Sequence, residues 1–222
     1  MFGELIGLWC AERWRAMGAP DRFILAELGP GRGTLMADAL RAGAAVAGFA
    51  EAAEVHLVET SPVLRAAQKE ALSSISITWH DRITDLPPGP MLAIANEFFD
   101  ALPIRQFQRQ GDGWHERTVG LRDGGLCLAL NPAATPGRVI AGASLGAIAE
   151  ISPARAAVVA ELTQHITTGG GAALIIDYGY LESTSGDTLQ AMRDHDYADV
   201  FDAPGEVDLT VHVDFQAWAA AV

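Results

Sequence analysis

Apolar positions along the chain alternate between two spacings, one typical of amphipathic helices and one typical of buried strands. Apolar residues at helical spacing predict a helix over residues 2–17, and the continuous run from Phe23 to Leu28 predicts a strand buried on both faces. The same reasoning predicts helices over 34–42, 62–72 and 153–168, and strands over 55–58, 75–78, 91–95 and 172–177. Alternating strands and helices indicate an α/β fold with a mainly parallel sheet.

The pattern changes after Pro103. Three short strands are predicted over 105–109, 114–119 and 126–130, separated by glycine-containing turns. Short strands joined by such turns indicate an antiparallel β meander inserted into the α/β pattern. We expect residues 131–149 to be a connection, residues 181–206 to form a mobile loop, and residues 207–215 to form a strand.

Composition narrows the class of protein. The 222 residues are 50% hydrophobic and 19% charged, which is globular composition, and no apolar stretch reaches membrane-spanning length. A net charge of −13 argues against binding the phosphates of nucleic acid. Residues 1–14 lack the basic start of a secretory signal, and two cysteines are too few for a disulfide scaffold. The histidines lack the spacing of a zinc site, so no metal is expected.

A glycine-rich turn follows the first predicted strand. Gly29, Gly31 and Gly33 come directly after Glu27 and Leu28 and precede a predicted helix. Glycines at such a point let the backbone approach a ligand, and a helix N-terminus favours a negative group. The spacing lacks the lysine of a phosphate-binding P-loop, and it differs by one residue from the dinucleotide fingerprint, which disfavours an NAD-linked oxidoreductase. The alternative is a tight structural turn without a ligand.

Acidic residues follow the neighbouring strands. Glu59 closes the second strand, where a carboxylate can accept hydrogen bonds from ribose hydroxyls. Asp81 follows the third strand and could accept from an adenine amino group, and Glu27 would lie near the cationic amino end of a cofactor. The alternatives are a solvated strand end for Glu59 and an ordinary loop aspartate for Asp81. Together with the glycines, these acids favour a nucleotide-like cofactor site.

Polar residues also end the fourth strand. Asn96, Glu97 and Asp100 lie in an otherwise aromatic segment, at the edge where ligands of open α/β sheets bind. Two carboxylates and an amide there suit a cationic group. The alternative is that Glu97 and Asp100 are exposed turn residues while Phe98 and Phe99 fill the core.

Six segments, taken in order, resemble the MidA-like family of S-adenosylmethionine-dependent methyltransferases. The segments are Phe2–Trp9, Glu27–Met36, His56–Pro62, Asn96–Pro103, Ile176–Gly179 and Pro204–Thr210. The resemblance covers nearly the whole chain, and its most specific segment is Asn96–Pro103. It implies a Rossmann-like methyltransferase sheet with an inserted antiparallel β meander. It also implies that Gly29, Gly31, Gly33 and Glu59 bind S-adenosylmethionine, while Asn96 and Glu97 face its reacting end.

The family includes a mitochondrial complex I assembly factor that methylates an arginine on a complex I core subunit. By this resemblance we expect a protein arginine methyltransferase with a protein substrate, cytoplasmic in a bacterium or in the mitochondrial matrix of a eukaryote. Glu97 is the first candidate, and Asp100 the second, for a carboxylate that holds the guanidinium and biases its charge away from the attacking nitrogen. A small-molecule methyltransferase and a non-catalytic binding module or assembly chaperone are the alternatives.

The resemblance also implies a division of the chain. The expected parts are an N-terminal helix (1–22), the cofactor-binding half of the core (23–103), the meander and connection (104–149), and the second half of the core (150–222). Family members carry further segments before the first helix and after the strand near Phe215, so this chain is expected to be shortened at both ends.

Overall fold

The computed structural model of the chain describes residues 1–131, 143–194 and 196–219. In chain order the elements are α1 (Phe2–Ala16), β1 (Phe23–Leu28), α2 (Thr34–Gly43), α3 (Phe49–Ala52), β2 (Ala53–Val58), α4 (Pro62–Ala71), β3 (Ile77–His80), a single 3₁₀ turn (Ile83–Asp85), β4 (Met91–Asn96), β5 (Arg105–Gln110), β6 (Gly113–Arg122), β7 (Gly125–Asn131), β8 (Ile148–Ile151), α5 (Pro153–Gly169), β9 (Gly171–Ile176), β10 (Gly179–Tyr180), β11 (Gln190–Arg193), β12 (Asp196–Ala198), β13 (Asp208–Thr210), β14 (Val213–Asp214) and α6 (Phe215–Ala219).

The chain divides into two compact units. The first contains Met1–Phe98 and Val158–Ile176, and the second contains Phe99–Ala157 and Asp177–Val222. The finer four-part division expected from the sequence stays a prediction.

A five-stranded sheet forms the centre of the first unit. Its strand order is β3-β2-β1-β4-β9, and every adjacent pair is parallel. Strands β1 and β4 are almost entirely apolar, with Glu27 in β1 and Asn96 at the end of β4 as the exceptions, because parallel strands inside an α/β layer are covered on both faces. The order reverses direction between β1 and β4, and such switch points are where open α/β sheets bind ligands. The expected α/β fold with a parallel sheet is confirmed.

Helices α1 and α2 cover one face of this sheet at close range. Gly7 of α1 lies so near the backbone of Ala39 in α2 that a Cβ at position 7 would overlap it. An aromatic cluster joins helices α1 and α3 to strand β1. The distance between ring centroids is 5.9 Å from Trp14 to Phe49 and 5.4 Å from Phe49 to Phe23. Each ring is almost completely buried, so this cluster anchors α1 to the start of β1.

The second unit contains the inserted antiparallel sheet. Strands β5, β6 and β7 form the expected meander, and β8 adds a fourth strand on the other side of β5, in the order β7-β6-β5-β8. The prediction of a connection over 131–149 is therefore wrong at its last two residues, since Ile148 and Ala149 belong to β8 and are buried against β5. Residues 132–142 of that connection lie outside the described residues.

Three other boundaries differ from the sequence prediction. Residues 181–206 contain the hairpin of β11 and β12, so they are not simply a loop. The strand expected over 207–215 is split between β13, which pairs with β11, and β14, which pairs with β10. Strand β3 begins at Ile77 because the Ile75 amide donates to the Leu72 carbonyl at 2.9 Å, which extends the turn that ends α4.

No helix within the described ranges has the length and hydropathy needed to cross a bilayer.

Candidate functional site

The candidate residues of the first unit lie at one edge of its sheet. Leu28 of β1 is in register with Val58 of β2 and with Ala95 of β4. Gly29, Glu59 and Asn96 are the residues that immediately follow these three. Likewise, His80 is in register with Val58 and is followed by Asp81. The structure therefore brings the glycine loop after β1 and the polar residues at the ends of β2, β3 and β4 to the same edge.

The loop after β1 has a backbone that requires glycine. Gly29, Gly31 and Gly33 have φ values of +61°, +53° and +82°, in the left-handed region that side chains with a Cβ disfavour. A Cβ at Gly29 would lie 2.7 Å from the Phe98 ring. A Cβ at Gly31 would meet no atom of the described residues within 4 Å. Gly29 is thus confined by packing, whereas Gly31 borders open space.

Helix α2 begins directly after this loop. Its N-cap is Gly33, which has no side chain to bond the amides of the first helical turn. Those amides and the helix dipole favour a negative or strongly polar group. Open space at Gly31 and an uncapped helix start together form a cradle for such a group.

Glu59 is held in place by its surroundings rather than solvated. It is buried, and its Oε1 accepts from the backbone amide of Ser61 at 2.7 Å. Its Oε2 accepts from Nε2 of Gln68 at 3.3 Å. The carboxylate oxygens can accept further bonds beyond these two. The alternative of a solvated strand end does not fit this environment.

Gln68 was not predicted from the sequence, yet it joins the predicted parts. It lies on α4, is completely buried, and donates from Nε2 to the carbonyl of Gly31 at 2.8 Å as well as to Glu59. Its Oε1 accepts from the indole N–H of Trp79 at 2.8 Å. A signal existed: Gln68 is four residues after Leu64 and four before the buried Leu72, on the apolar face of its helix.

Asp81 lies at the surface next to this group. Its side chain is 72% exposed, and its Oδ1 accepts from Nη2 of Arg65 at 2.7 Å. The same guanidinium donates to the carbonyls of Glu59 and His80, so it ties together the ends of β2 and β3. This geometry agrees with a loop aspartate in an ion pair, and the role of Asp81 toward adenine stays a prediction.

Glu27 is buried in β1 and has an oxygen without a hydrogen bond. It is 3% exposed, and its Oε2 has no hydrogen-bond partner among the described residues. Strand alternation places it on the same face as Phe23 and Leu25, beneath α1. Burial raises the pKa of Glu27 to about 8, and burial together with the charge of Glu27 raises the pKa of Cys10 in α1 to about 12. A buried acid of this kind suits a cationic ligand group.

The pKa of Glu27 predicts how stability depends on pH. Its folded value lies above the ordinary value of 4.5, so the unfolded chain loses this proton first as the pH rises. The free energy of unfolding therefore falls between about pH 4.5 and about pH 8 and is constant for this group outside that window. We expect Glu27→Gln to gain stability over the unaltered chain across the window, by up to about 1.4 kcal/mol per pH unit.

Urea denaturation of both chains without ligand, at several pH values, measures this difference. A difference between the two curves that grows from about pH 4.5 to about pH 8 would confirm the raised pKa of Glu27. Curves that stay parallel across the whole window would show that Glu27 is already ionised in the folded chain, and their constant offset would then report only the packing of the amide.

The polar residues at the end of β4 are more exposed than Glu27 and Glu59. Glu97 is exposed and has a φ of +47°, which is unusual for a residue with a side chain. Its amide donates to the carbonyl of Ile176 at 2.8 Å, which fixes the backbone beside β9. Asn96 is half-buried and in register with Ile176. Strained backbone that surrounding bonds maintain is often found at functional sites.

Asp100 belongs to the second unit and is 6% exposed. The alternative that it is an exposed turn residue is therefore wrong, whereas Glu97 is indeed exposed. The amides of Phe99 and Asp100 donate to Oδ2 of Asp177 at 2.9 and 3.1 Å. Asp177 thus holds the start of the segment that carries Asp100, a role that sequence reasoning did not assign to it.

Arg155 is a second unpredicted residue of this unit. It is 5% exposed, and its guanidinium donates to the carbonyls of Phe99, Asp100, Val211 and His212. Burial lowers the pKa of Arg155, and the charges of Asp177, Glu150 and Asp100 oppose that effect. The side chain thereby joins the segment at residues 99–100 to the segment at residues 211–212.

Residues 5–222 match the family described as "Putative S-adenosyl-L-methionine-dependent methyltransferase". The chain belongs to this methyltransferase family. It is the MidA-like family that the sequence motifs resemble, and that expectation is confirmed.

Relatives in this methyltransferase family are known from animals. The chain is 37% identical to the mitochondrial protein arginine methyltransferase NDUFAF7 of Homo sapiens over 243 residues, and 37% identical to the protein of the same name from Rattus norvegicus. The alignments cover 97% of this chain but 55% and 56% of the relatives, so the chain spans about half their length.

A solved structure of a bacterial protein is also similar. A protein from Burkholderia thailandensis, crystallised with S-adenosyl-homocysteine, superimposes with a TM-score of 0.82 at 29% sequence identity. The match covers 99% of this chain and 59% of the bacterial one.

Proposed function

We propose that this chain is the cofactor-binding core of an S-adenosylmethionine-dependent methyltransferase that modifies an arginine of a protein. The observation that carries the cofactor assignment is the buried Glu27, whose Oε2 has no hydrogen-bond partner in the part of the chain that the structure describes. A buried carboxyl without a partner is costly in a folded protein unless a ligand satisfies it. The α-amino group of S-adenosylmethionine is a cation that can do so.

The other residues at this edge suit the rest of the cofactor. The open space at Gly31 accommodates a ligand against backbone, and Glu59 has acceptor capacity for ribose hydroxyls. Gly29 and Gly33 maintain the loop, and the second oxygen of Asp81 is proposed to accept from the adenine amino group. The family to which the chain belongs and the S-adenosyl-homocysteine bound by the bacterial relative support this assignment.

When bound, S-adenosylmethionine supplies a methyl group on a positively charged sulfur. The residues of the chain then have mainly to position the acceptor, because methyl transfer depends on alignment of nucleophile, methyl and leaving group. An arginine acceptor is protonated at neutral pH, so its attacking nitrogen needs electron density. We propose that Glu97 binds the guanidinium and that Asn96 orients it by hydrogen bonding, while the role of Asp100 as the second candidate stays a prediction.

The substrate assignment rests on the named relatives. NDUFAF7 proteins are called protein arginine methyltransferases and mitochondrial, which supports a protein substrate for this chain. A complex I core subunit is the substrate that we propose from the sequence resemblance. A eukaryotic source would place the chain in the mitochondrial matrix and a bacterial source in the cytoplasm. The exposed side chain of Glu97 is compatible with an acceptor as large as a protein segment.

The test of this function combines binding and transfer. Isothermal titration with S-adenosylmethionine should give a saturable one-to-one heat. Transfer of a labelled methyl group, followed by mass spectrometry, should locate the label on arginine. Binding with label on a small molecule would support the alternative substrate class, and absence of binding would favour a non-catalytic binding module.

Replacement of Glu97 tests the role of its charge. Glu97→Gln keeps the size of the side chain and one acceptor, but its bonds to a guanidinium become neutral and roughly half as strong. We expect the methyl transfer rate to fall by about tenfold or more, with almost unchanged affinity for S-adenosylmethionine.

Glu51→Gln is the matched control, since Glu51 is exposed on α3, immediately before β2, at the opposite edge of the sheet. Full turnover with weakened cofactor binding in Glu97→Gln would instead assign Glu97 to the cofactor.

A further inference from the structure

Gln68 has an amide whose orientation is determined by its neighbours. The indole N–H of Trp79 can only donate, and it lies 2.8 Å from one end of the amide. That end must therefore be the oxygen, and the NH₂ group must face the Gly31 carbonyl and the Glu59 carboxylate. Both of those groups are acceptors, so the three contacts agree with one orientation.

The three contacts connect four separate segments of the chain. Gly31 is in the loop after β1, Glu59 follows β2, and Trp79 is in β3, while Gln68 itself is on α4. Because Gln68 has no exposed surface, water cannot replace these bonds easily. With Ser61 bonded to Oε1 and Gln68 bonded to Oε2, the plane of the Glu59 carboxylate is fixed.

We propose that Gln68 is a positioning residue for the cofactor ribose: it orients the Glu59 carboxylate and holds the glycine loop at a set distance from it. The inference rests on the proposed cofactor site and assigns a specificity role within it. Gln68 does not need to touch the ligand. It acts by setting where the acceptor oxygens of Glu59 point, so it should affect recognition of the ribose hydroxyls in particular.

Residues of similar size do not satisfy the same three groups. A glutamate at position 68 would place a second carboxylate against Glu59 and against the Gly31 carbonyl, where donors are required. A leucine would fill the space but leave the carbonyl, the carboxylate and the indole without their partner. Trp79→Phe would leave the amide in place without the group that fixes its orientation.

The test uses two probes, S-adenosylhomocysteine and its analogue lacking the ribose 2′ and 3′ hydroxyls, titrated into the 222-residue chain. Gln68→Leu should weaken S-adenosylhomocysteine binding by about tenfold or more, as expected for a disturbed charged acceptor, while the analogue loses far less. Trp79→Phe should change the ratio of the two affinities, for S-adenosylhomocysteine over its analogue, in the same direction but by a smaller factor. Gln164→Leu is the matched control, because Gln164 is an exposed helical glutamine whose side chain bonds only to Thr168 among the described contacts.

The outcomes separate the inference from the function on which it rests. Equal weakening of both probes, or of neither, in Gln68→Leu and Trp79→Phe would overturn the positioning role. If Gln68→Leu fails to fold, the probe ratio of Trp79→Phe decides alone. If the unaltered chain binds neither probe, the proposed cofactor site fails and the inference with it. If the unaltered chain binds both equally and Glu59→Ala changes nothing, only the ribose role of Glu59, and so of Gln68, is overturned.

Discussion

Gly31→Val should abolish detectable binding of S-adenosylmethionine while the chain remains folded. Two branches on a Cβ at position 31 would enter the open space beside the loop, where the ligand is proposed to lie against the backbone. The left-handed φ of +53° adds a strain of roughly 1–2 kcal/mol, which a folded domain usually tolerates. The loss of binding should therefore greatly exceed the loss of stability.

Gly18→Val is the control for strain alone. Gly18 also has a positive φ, of +89°, and a Cβ there would meet no described atom within 4 Å. We expect both variants to show similar small shifts in thermal unfolding, and only the Gly31 variant to lose the titration heat with S-adenosylmethionine. Unchanged affinity in a folded Gly31→Val chain would mean that the loop is only a structural turn.

Arg155→Met should destabilise the chain by about 3–5 kcal/mol, the range for removal of one partner from a buried charged network. Methionine fills a similar volume but leaves four carbonyls, on Phe99, Asp100, Val211 and His212, without their donor. Arg155→Lys should recover only part of the loss, because an ammonium group cannot reproduce the planar fork of donors.

Arg105→Met provides the comparison, since Arg105 is 53% exposed and pairs with Glu116 through two bonds. A partly exposed pair of this kind contributes about 1 kcal/mol or less. Urea denaturation at neutral pH measures both variants. A loss at position 155 no larger than the loss at position 105 would show that the carbonyls find other donors.

The parts of the candidate site that could be predicted are those whose residues directly follow a predicted strand. Strand β1 and its glycines are contiguous, and Glu59 follows the next strand directly, so local rules place both at the ligand edge. Gln68 could not be assigned in the same way. Its position on the apolar face of α4 signals a buried amide, but its partners come from three separate segments that only the fold brings together.

The errors in the fold have a related cause. Strands β8, β11 and β13 each have four residues or fewer, and their pairing partners lie far along the chain or across a turn. The preference of a short segment for strand depends largely on the neighbours it packs against. Residues 181–206 are polar, so nothing in their own sequence indicated the β11–β12 hairpin. Strands β1 and β4 are almost entirely apolar, so their own sequences were enough to predict them.

The pairing of β4 with β9 has a consequence for how the chain folds. These adjacent parallel strands flank an insertion that holds most of the second unit, so β9 is synthesised long after β4. Loop-closure entropy grows only slowly with loop length, so the final stability is little affected. The folding rate is affected more, because contacts between residues far apart in the sequence form late and slow the search for the native state. Until Gly171–Ile176 arrives, β4 has an unpaired edge, which makes the nascent chain most vulnerable to aggregation during that interval.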